Sequence, residues 1–375
     1  MRIRPVETRA DRQQFVGLPY RLYRDDPLWV APLRSEQRSQ FDARRNPMLD
    51  HCDYALFLLE ERGRALGRVA AFVDQLAVRH WGQPIGLFGS FECAAGDAGA
   101  QLLLQTAASW LAERKMTCMR GPWSFSSQEW GLVLEGFSPA PTVLAPYNPP
   151  VYNDYLTRFG LQKARDLLVY DINVPQGYAF PERYLELTDR VQQRYGVTVR
   201  SVDPRRLDDE VRTLMDVANL SIADNWGYSP VTAAETAALA RDLRLLVDPR
   251  AILLAEDRQG APIGFAIALP DLNVLLKGLH GRLWPMGWLR LLWGLPRLHQ
   301  YRMWALGVVP AYQGKAVDAL LYRRLYEGLF GPQLRIEVNY VLEDNTRMNN
   351  ALARLGARPL RRYRVYEMAL PTSGA

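Results

Sequence analysis

The chain has 375 residues, 48% hydrophobic and 23% charged, with a formal net charge of +6 and a pI near 9.2. That length exceeds one ordinary core and points to two globular domains rather than a disordered or fibrous chain. Cys52, Cys93 and Cys118 are scattered and form no Cys-x-x-Cys pair or Cys/His cluster, so neither a disulfide framework nor a metal site is expected. Met1-Arg-Ile-Arg-Pro5 lacks the apolar run of a signal peptide, and no stretch of about 18 apolar residues occurs. The expected location is the cytoplasm, up to the inner face of the membrane. Lys and Arg are spread along the whole chain with no nucleic-acid module to frame them, so nucleic acid is not an expected partner. A basic surface of this kind suits anionic membranes or phosphorylated cofactors.

Asp11–Tyr23 reads as a helix, and Tyr54–Glu60 with Ala65–Asp74 as a hairpin about Arg62-Gly63-Arg64. A strand at Ile85–Glu92, an amphipathic helix at Ala100–Arg114 and a strand at Met116–Gly121 follow. The stretch 122–150 is rich in proline and holds Trp123, Trp130, Phe137 and Tyr147, which want burial or a ligand. A helix at Tyr152–Phe159 and a strand at Leu167–Asn173 close the first half. Pro175-Gln-Gly177 reads as a linker before a helix at Glu182–Tyr195.

The same order then returns. A strand at Val197–Val202 leads to helices at Arg205–Ser221 and Thr232–Leu246, and to a hairpin of Ala251–Asp257 with Pro262–Leu269. After an apolar insert come a strand at Arg302–Val309, a helix at Gln313–Leu329, a strand at Leu334–Tyr340, a helix at Thr346–Leu355 and a strand at Tyr363–Leu370. Two mixed-sheet units of one kind are expected.

The most informative stretch is Leu306-Gly-Val-Val309-Pro310-Ala-Tyr-Gln313-Gly314-Lys315-Ala316-Val317-Asp318. A buried strand ends at a proline, and a helix opens after a short loop. The first amides of such a helix lack acceptors and carry partial positive charge, so a pyrophosphate fits there if small residues admit it. Gly314 and Ala316 give access and Lys315 adds charge. Downstream, Asn345 is followed by Met348 and by Leu355-Gly356-Ala357.

Here the chain resembles the GNAT acyltransferases. The loop is similar to their acyl-CoA loop, Q/R-x-x-G-x-G/A, and the later segment to N-x-x-A-x-x-x-Y-x-x-x-G-F. Three positions depart from the pattern: Ala316 for glycine, Asp318 for Gly or Ala, and Leu352 for the tyrosine that often serves as general acid. Asn225-Trp226-Gly227-Tyr-Ser-Pro230, Leu269-Pro270-Asp271-Leu-Asn273, Gly281-Arg282-Leu283, Gly121-Pro122-Trp123-Ser124-Phe125 and Pro146-Tyr147-Asn148-Pro149-Pro150 extend the likeness. They resemble a bacterial tandem-GNAT family with ceramide synthases among its members.

The resemblance implies an α/β (α+β) fold of two tandem GNAT-like lobes, each a mixed central sheet flanked by helices. The lobes are expected at residues 1–174 and 197–375, joined by a linker and connecting helix at 175–196, with a Trp-rich insert at 270–301 in the second. It implies acyl-CoA as co-substrate, no metal, and an amine acceptor. The expected acyl-CoA contacts are Gly307, Val308, Val309, Gln313, Gly314, Lys315, Ala316, Val317 and Asn345, with the amide of Gly307 or Val308 polarising the thioester carbonyl.

Strand alternation puts Glu337 and Asn339 on one face, with Ile336, Val338 and Tyr340 on the other. Glu337 is the expected base, or else the partner of an arginine such as Arg302 or Arg335. Asp224, Asn225 and Trp226 either overlook the site, with Asn225 catalytic, or form a helix-terminal turn. His280 and His299 read as surface histidines. Ser124, Ser126 and Glu129 form either a second substrate wall or a satisfied loop network. The Gly96–Gly99 loop has no basic residue to attract acyl-CoA.

In the insert, a helix bracketed by Pro285 and Pro296 would place Trp288, Leu291 and Leu295 on one side and Arg290 and Arg297 on the other. With Trp226, Trp284 and Trp293 it suggests either an interfacial membrane helix or a lid packed over the cleft, and both favour a long acyl chain. Three functions stay open: long-chain N-acyl transfer to a lipid-like amine, small-molecule N-acetyl transfer, or acyl-CoA binding without catalysis.

Overall fold

The computed structural model describes residues 1–125, 129–243 and 248–371, which divide into two compact units. The first comprises Met1–Leu167, Leu276–Leu289 and the chain from Arg361 onward; the second comprises Leu168–Leu275 and Arg290–Leu360.

The first unit contains β1 (Arg2–Pro5), α1 (Arg9–Leu22), α2 (Arg34–Ser39), β2 (Cys52–Glu61), β3 (Arg64–Asp74), α3 (Gln75–Trp81), β4 (Ile85–Cys93), α4 (Gly96–Glu113), β5 (Cys118–Gly121), β6 (Leu132–Glu135), α5 (Val151–Phe159) and the first half of β7 (Gln162–Asn173). Sequence reading misses β1, α2, α3 and β6. Asp74 starts α3 by accepting from the amides of Leu76 (2.9 Å) and Ala77 (3.2 Å). The same oxygen meets His51 Nδ1 at 2.9 Å, which gathers the sequence neighbours His51 and Cys52 with the distant Asp74. Leu103, Leu104, Ala107 and Leu111 of α4 pack on Val69, Ala71 and Phe88 of the sheet.

The second unit adds β8 (Thr198–Ser201), β9 (Ile252–Glu256), β10 (Pro262–Pro270), β11 (Gln300–Val308) and β12 (Arg335–Leu342) to the second half of β7. Its helices are α6 (Glu182–Tyr195), α7 (Leu207–Ile222), α8 (Ala233–Leu243), α9 (Asn273–Leu276), α11 (Val317–Leu329) and α12 (Thr346–Arg354), with α10 (Gly287–Gly294) running across the boundary between the units. The strand order is β7-β12-β11-β10-β9-β8, and β11 with β12 is the parallel pair. Residues 244–246 of the expected second helix lie outside the described residues.

On one face of the sheet, α11 buries Val317, Leu320, Leu321, Tyr322, Leu325 and Leu329 with Val191 of α6, Leu352 of α12, and Met303, Ile336 and Val338 of the strands. Each such leucine contributes roughly 1.5–3 kcal/mol relative to an exposed one. On the other face, α7 lies across β10 and β11.

Three boundaries differ from the sequence reading. The final strand, β13 (Arg358–Ala369), was expected within the second lobe, yet from Arg361 onward it belongs to the first unit, where it pairs with β5 and β6. Leu168–Asn173 of β7, expected in the first lobe, belongs to the second unit. Leu276–Leu289 of the insert also joins the first unit, where Arg34 donates its amide to the Gly281 carbonyl at 3.0 Å. Pairing between strands distant in sequence depends on which edge is open, and no local pattern encodes that.

Candidate active site

The β11–β12 ladder holds only four pairs, from Gln300↔Arg335 to Met303↔Val338, although β11 continues to Val308 and β12 to Leu342. The two strands therefore stop pairing halfway along. β11 stays on β10, with a bulge between Ile267↔Ala305 and Ala268↔Met303 that leaves Trp304 unpaired.

The Val309 amide donates to the Ile263 carbonyl at 2.9 Å, which makes Gly264↔Val308 a non-hydrogen-bonded pair and Phe265↔Gly307 a hydrogen-bonded one. The N–H and C=O groups of Leu306 and Val308 then point away from β10, into the opening. Gln313 Nε2 donates to the Val308 carbonyl at 3.1 Å and ties the loop to the strand. Of the expected strand amides, Val308 faces the opening, whereas Gly307 faces Phe265 and Val309 is already paired. Leu306 was missed, although the same alternation would have identified it. Gly307 is needed for another reason: a Cβ there would lie 2.6 Å from the Phe265 ring and 2.8 Å from Ser221 Cβ in the last turn of α7.

The loop makes a short 3-10 turn at Pro310–Tyr312, and α11 begins at Val317, four residues later than its apolar periodicity suggests. The delay comes from left-handed backbone at Gly314 (φ +78°) and Ala316 (φ +59°). Nothing lies within 4 Å of a Cβ at Gly314, so its glycine serves conformation, not space. Ala316 holds a conformation that usually costs a non-glycine residue about 1–2 kcal/mol. It caps α11 without a side-chain hydrogen bond, leaving the first-turn amides directed at the loop. Lys315 Nζ sits 4.5 Å from the Tyr312 ring and 5.3 Å from that of Tyr195.

Asp318 is half-buried in the first turn of α11. Burial raises its pKa above the ordinary value, against the nearby backbone amides and Arg347. Asn345 caps α12, its Oδ1 accepting from Met348 N at 3.1 Å, and Leu352 is wholly buried in the core. The Tyr322 hydroxyl donates to Met348 Sδ at 3.1 Å, and burial raises that phenol's pKa.

Glu337 is 1% exposed and takes the arginine partnership foreseen as its other role, with Arg335 Nη2 at 2.9 Å. Arg335 Nε also reaches Asp171 Oδ1 at 2.8 Å, and Asp171 is steadied by Asn173 Nδ2 at 3.2 Å. Burial lowers the Arg335 pKa, but Glu337 and Asp171 more than offset it, and the net direction is upward. Arg302, also 1% exposed, stands opposite Glu337 in the ladder. Asn339 is the first β12 residue past the last pair. It is 5% exposed, and neither its Oδ1 nor its Nδ2 has a hydrogen-bond partner among the described residues. A buried amide left unsatisfied costs about 1–3 kcal/mol per group. Alternation fails just beyond it: Val341, not Tyr340, joins the core, and the Tyr340 ring lies 5.1 Å from the Arg302 guanidinium. The ladder to β11 no longer reaches this part of β12.

Asp224 and Asn225 are exposed in a turn after α7, where Asn225 N donates to the Ile222 carbonyl at 3.0 Å; Trp226 is half-buried. Among the described residues the Asn225 side chain makes no hydrogen bond. His280 and His299 are exposed. Trp284, Trp288 and Trp293 are 83%, 47% and 63% exposed. Ser124 and Glu129 bond each other through Glu129 N to Ser124 Oγ (3.2 Å) and Ser124 N to Glu129 O (3.1 Å), while Ser126 lies outside the described residues.

The first unit has the same parallel pair, but its opening is closed. β4 and β5 pair from Ile85↔Cys118 to Leu87↔Arg120. Trp123 N then donates to the Phe88 carbonyl at 2.8 Å, and the Trp123 carbonyl lies where a Cβ on Gly89 would be, 1.8 Å away.

Parallel neighbours that separate, strand amides facing the gap and a helix end behind a Gln-x-x-Ala loop define a GNAT N-acyltransferase, here in tandem form. No protein-family model matches the chain. It is similar over 99% of its length to a tandem GNAT protein from the clavulanic acid biosynthesis pathway, covering 99% of that chain with TM-score 0.58 and 13% identity. A GCN5-related N-acetyltransferase from Sphaerobacter thermophilus matches over 98% of this chain and 96% of its own, with TM-score 0.54 and 13% identity. Those likenesses establish the fold.

Relatives define the family. The chain is 32% identical over 373 residues to Protein YghO of Escherichia coli (strain K12), covering 97% of this chain and 94% of YghO. It is also 32% identical over 378 residues to the bacterial ceramide synthase of Caulobacter vibrioides, covering 98% and 97%. The chain belongs to this family of tandem-GNAT proteins.

Proposed function

We propose that the protein moves a long acyl group from acyl-CoA to the primary amine of a lipid-like acceptor, the reaction type named in its Caulobacter relative. The observation that carries this reading is the opening past Met303↔Val338, with the Leu306 and Val308 amides facing it. The thioester carbonyl placed there accepts from a strand amide, which strengthens as negative charge grows on the oxygen. The pantetheine follows β11, and the pyrophosphate lies on the α11 amides beside Gly314, Lys315, Ala316 and Val317. Asn339 finds its partner in the bound reactants. Its cost without them is then the cost of keeping a polar group ready.

The acceptor nitrogen attacks the thioester carbon, a C–N bond forms, and the C–S bond breaks. The proton leaving nitrogen goes to Glu337. Coenzyme A leaves as a thiolate; an ordinary thiol pKa near 8.5 makes that an adequate leaving group without a phenol at Leu352. The long chain is supported by the ceramide synthase name of the Caulobacter relative.

The test is release of free CoA thiol and mass-spectrometric detection of the amide from palmitoyl-CoA and a sphingoid amine. Faster turnover of acetyl-CoA with small soluble amines would overturn the chain-length assignment. Turnover with no donor would leave a binding protein.

Asp318 supplies a separate prediction. Its folded-state pKa is raised, so its proton stabilises the fold fully below the unfolded value, and that stabilisation is lost as pH rises through the folded one. At neutral pH its charge also opposes a pyrophosphate on the α11 amides. Asp318→Asn is therefore expected to raise the melting temperature at pH 8 and to tighten CoA binding about tenfold, or roughly 1.4 kcal/mol. At pH 4 the variant and parent should converge. Calorimetric titration with CoA at both pH values checks this, and weaker binding by the variant at pH 8 would reverse the assignment.

A further inference from the structure

We infer that the segment 274–297 is a docking surface for an anionic lipid bilayer. The described surface exposes twelve large hydrophobic side chains, and six of them, Val274, Trp284, Met286, Trp288, Leu292 and Trp293, fall within this one stretch. Scattered exposed hydrophobics are normal, but a run of this density is not.

The segment's base is built, which rules out a loose tail. Gly287 is buried, with the Arg282 carbonyl and Leu279 near the place a Cβ would take, and Gly294 presses on Leu275, where a Cβ would meet Cδ2 at 2.5 Å. Trp288 N donates to the Leu283 carbonyl at 3.1 Å, and its indole Nε1 to the Pro285 carbonyl at 2.9 Å. The small residues face inward and the indoles are held out.

Charge selects the partner. Lys277, Arg282, Arg290 and Arg297 are all exposed in this stretch, and no Asp or Glu occurs between Asp271 and Asp318. Arg290 and Arg297 donate to the backbone carbonyls of Val274 (3.5 Å) and Trp293 (3.1 Å). An interface with a second copy would not need this wholly basic rim, whereas an anionic headgroup layer does. Tryptophan suits that boundary, its ring in the acyl region and its N–H among headgroups. Among the described residues no helix is long and apolar enough to cross a membrane, so the mode is interfacial. For an acyltransferase with a lipid-like acceptor such docking would deliver substrate, but the surface stands whether or not that reading does.

The test is co-sedimentation of the full chain with vesicles of phosphatidylcholine alone or mixed with phosphatidylglycerol. Binding is expected only to the mixture, weakened by high salt, with tryptophan emission quenched by brominated acyl chains. The Trp284→Ser, Trp288→Ser, Trp293→Ser triple variant should lose at least about tenfold in binding and keep its melting temperature, since surface changes cost little. Arg290→Glu with Arg297→Glu should erase the preference for the anionic mixture. Three results would overturn the proposal: a parent indifferent to anionic vesicles, a triple variant that binds like the parent, or a parent dimer that the triple substitution splits. Early melting of that variant would also count against it, because the indoles would then be packed. Quenching in the unmodified parent decides the matter without any substitution.

Discussion

Arg335→Leu is expected to destabilise the second unit by about 3–5 kcal/mol, the usual consequence of removing one partner from a buried ion pair. Arg335 serves two carboxylates, Asp171 at 2.8 Å and Glu337 at 2.9 Å, and both of those residues are buried. Leucine would fill much of the volume but leave both acids without this cation. Arg335→Lys should recover only part of the loss, because one ammonium cannot reproduce two arms of a guanidinium. Combining Arg335→Leu with Glu337→Gln should cost less than the sum of the single changes, since the second removes a charge that the first has stranded. Urea denaturation of the four proteins measures this. A loss under about 1 kcal/mol for Arg335→Leu would mean that water or other cations already satisfy both acids.

Glu337→Gln is the other large effect, and it falls on turnover. We expect kcat to drop about a hundredfold or more, the usual share of a general base, with the melting shift on adding acyl-CoA unchanged. In the proposed mechanism Glu337, paired with Arg335 at 2.9 Å, receives the proton that leaves the acceptor nitrogen. Glutamine keeps the shape and one hydrogen-bond acceptor but cannot take that proton. Unchanged kcat together with reduced stability would reduce Glu337 to a counter-ion of Arg335 and move proton removal to water.

Much of the fold was legible because periodicity is local. The hairpins, the helix after each parallel strand and the loop at Gln313–Ala316 all follow from apolar spacing and from where proline and glycine interrupt it. The start of α11 was misread because Ala316 gives no sign of left-handed backbone, whereas glycine in its place would have. Glu337 was singled out correctly as an acid needing a reason for burial. Its partner could only be narrowed to two arginines, because Asp171, which shares Arg335, lies 164 residues away in sequence. Leu306 shares its hydrogen-bond direction with Val308 by strand alternation, but that this pair and not Gly307 faces away from β10 depends on the register between the strands, which residue spacing does not give. Nothing in the sequence marks Asn339 as unsatisfied, since that is a property of its surroundings.

The placement of β13 has a consequence for biosynthesis. Tyr363, Val365 and Tyr366 are almost wholly inaccessible within the first unit, and Arg364 grips Asp166 at 2.7 Å. When residue 167 leaves the ribosome, the sheet it belongs to still lacks a strand that will not be translated for nearly two hundred codons. At the usual 5–20 residues per second that wait is roughly 10–40 s. Meanwhile β5 presents an unpaired edge of the kind that recruits other nascent chains. The amino-terminal half therefore matures last, despite being made first. It needs a chaperone's shelter, or a very high barrier to mispairing, until β13 has been translated.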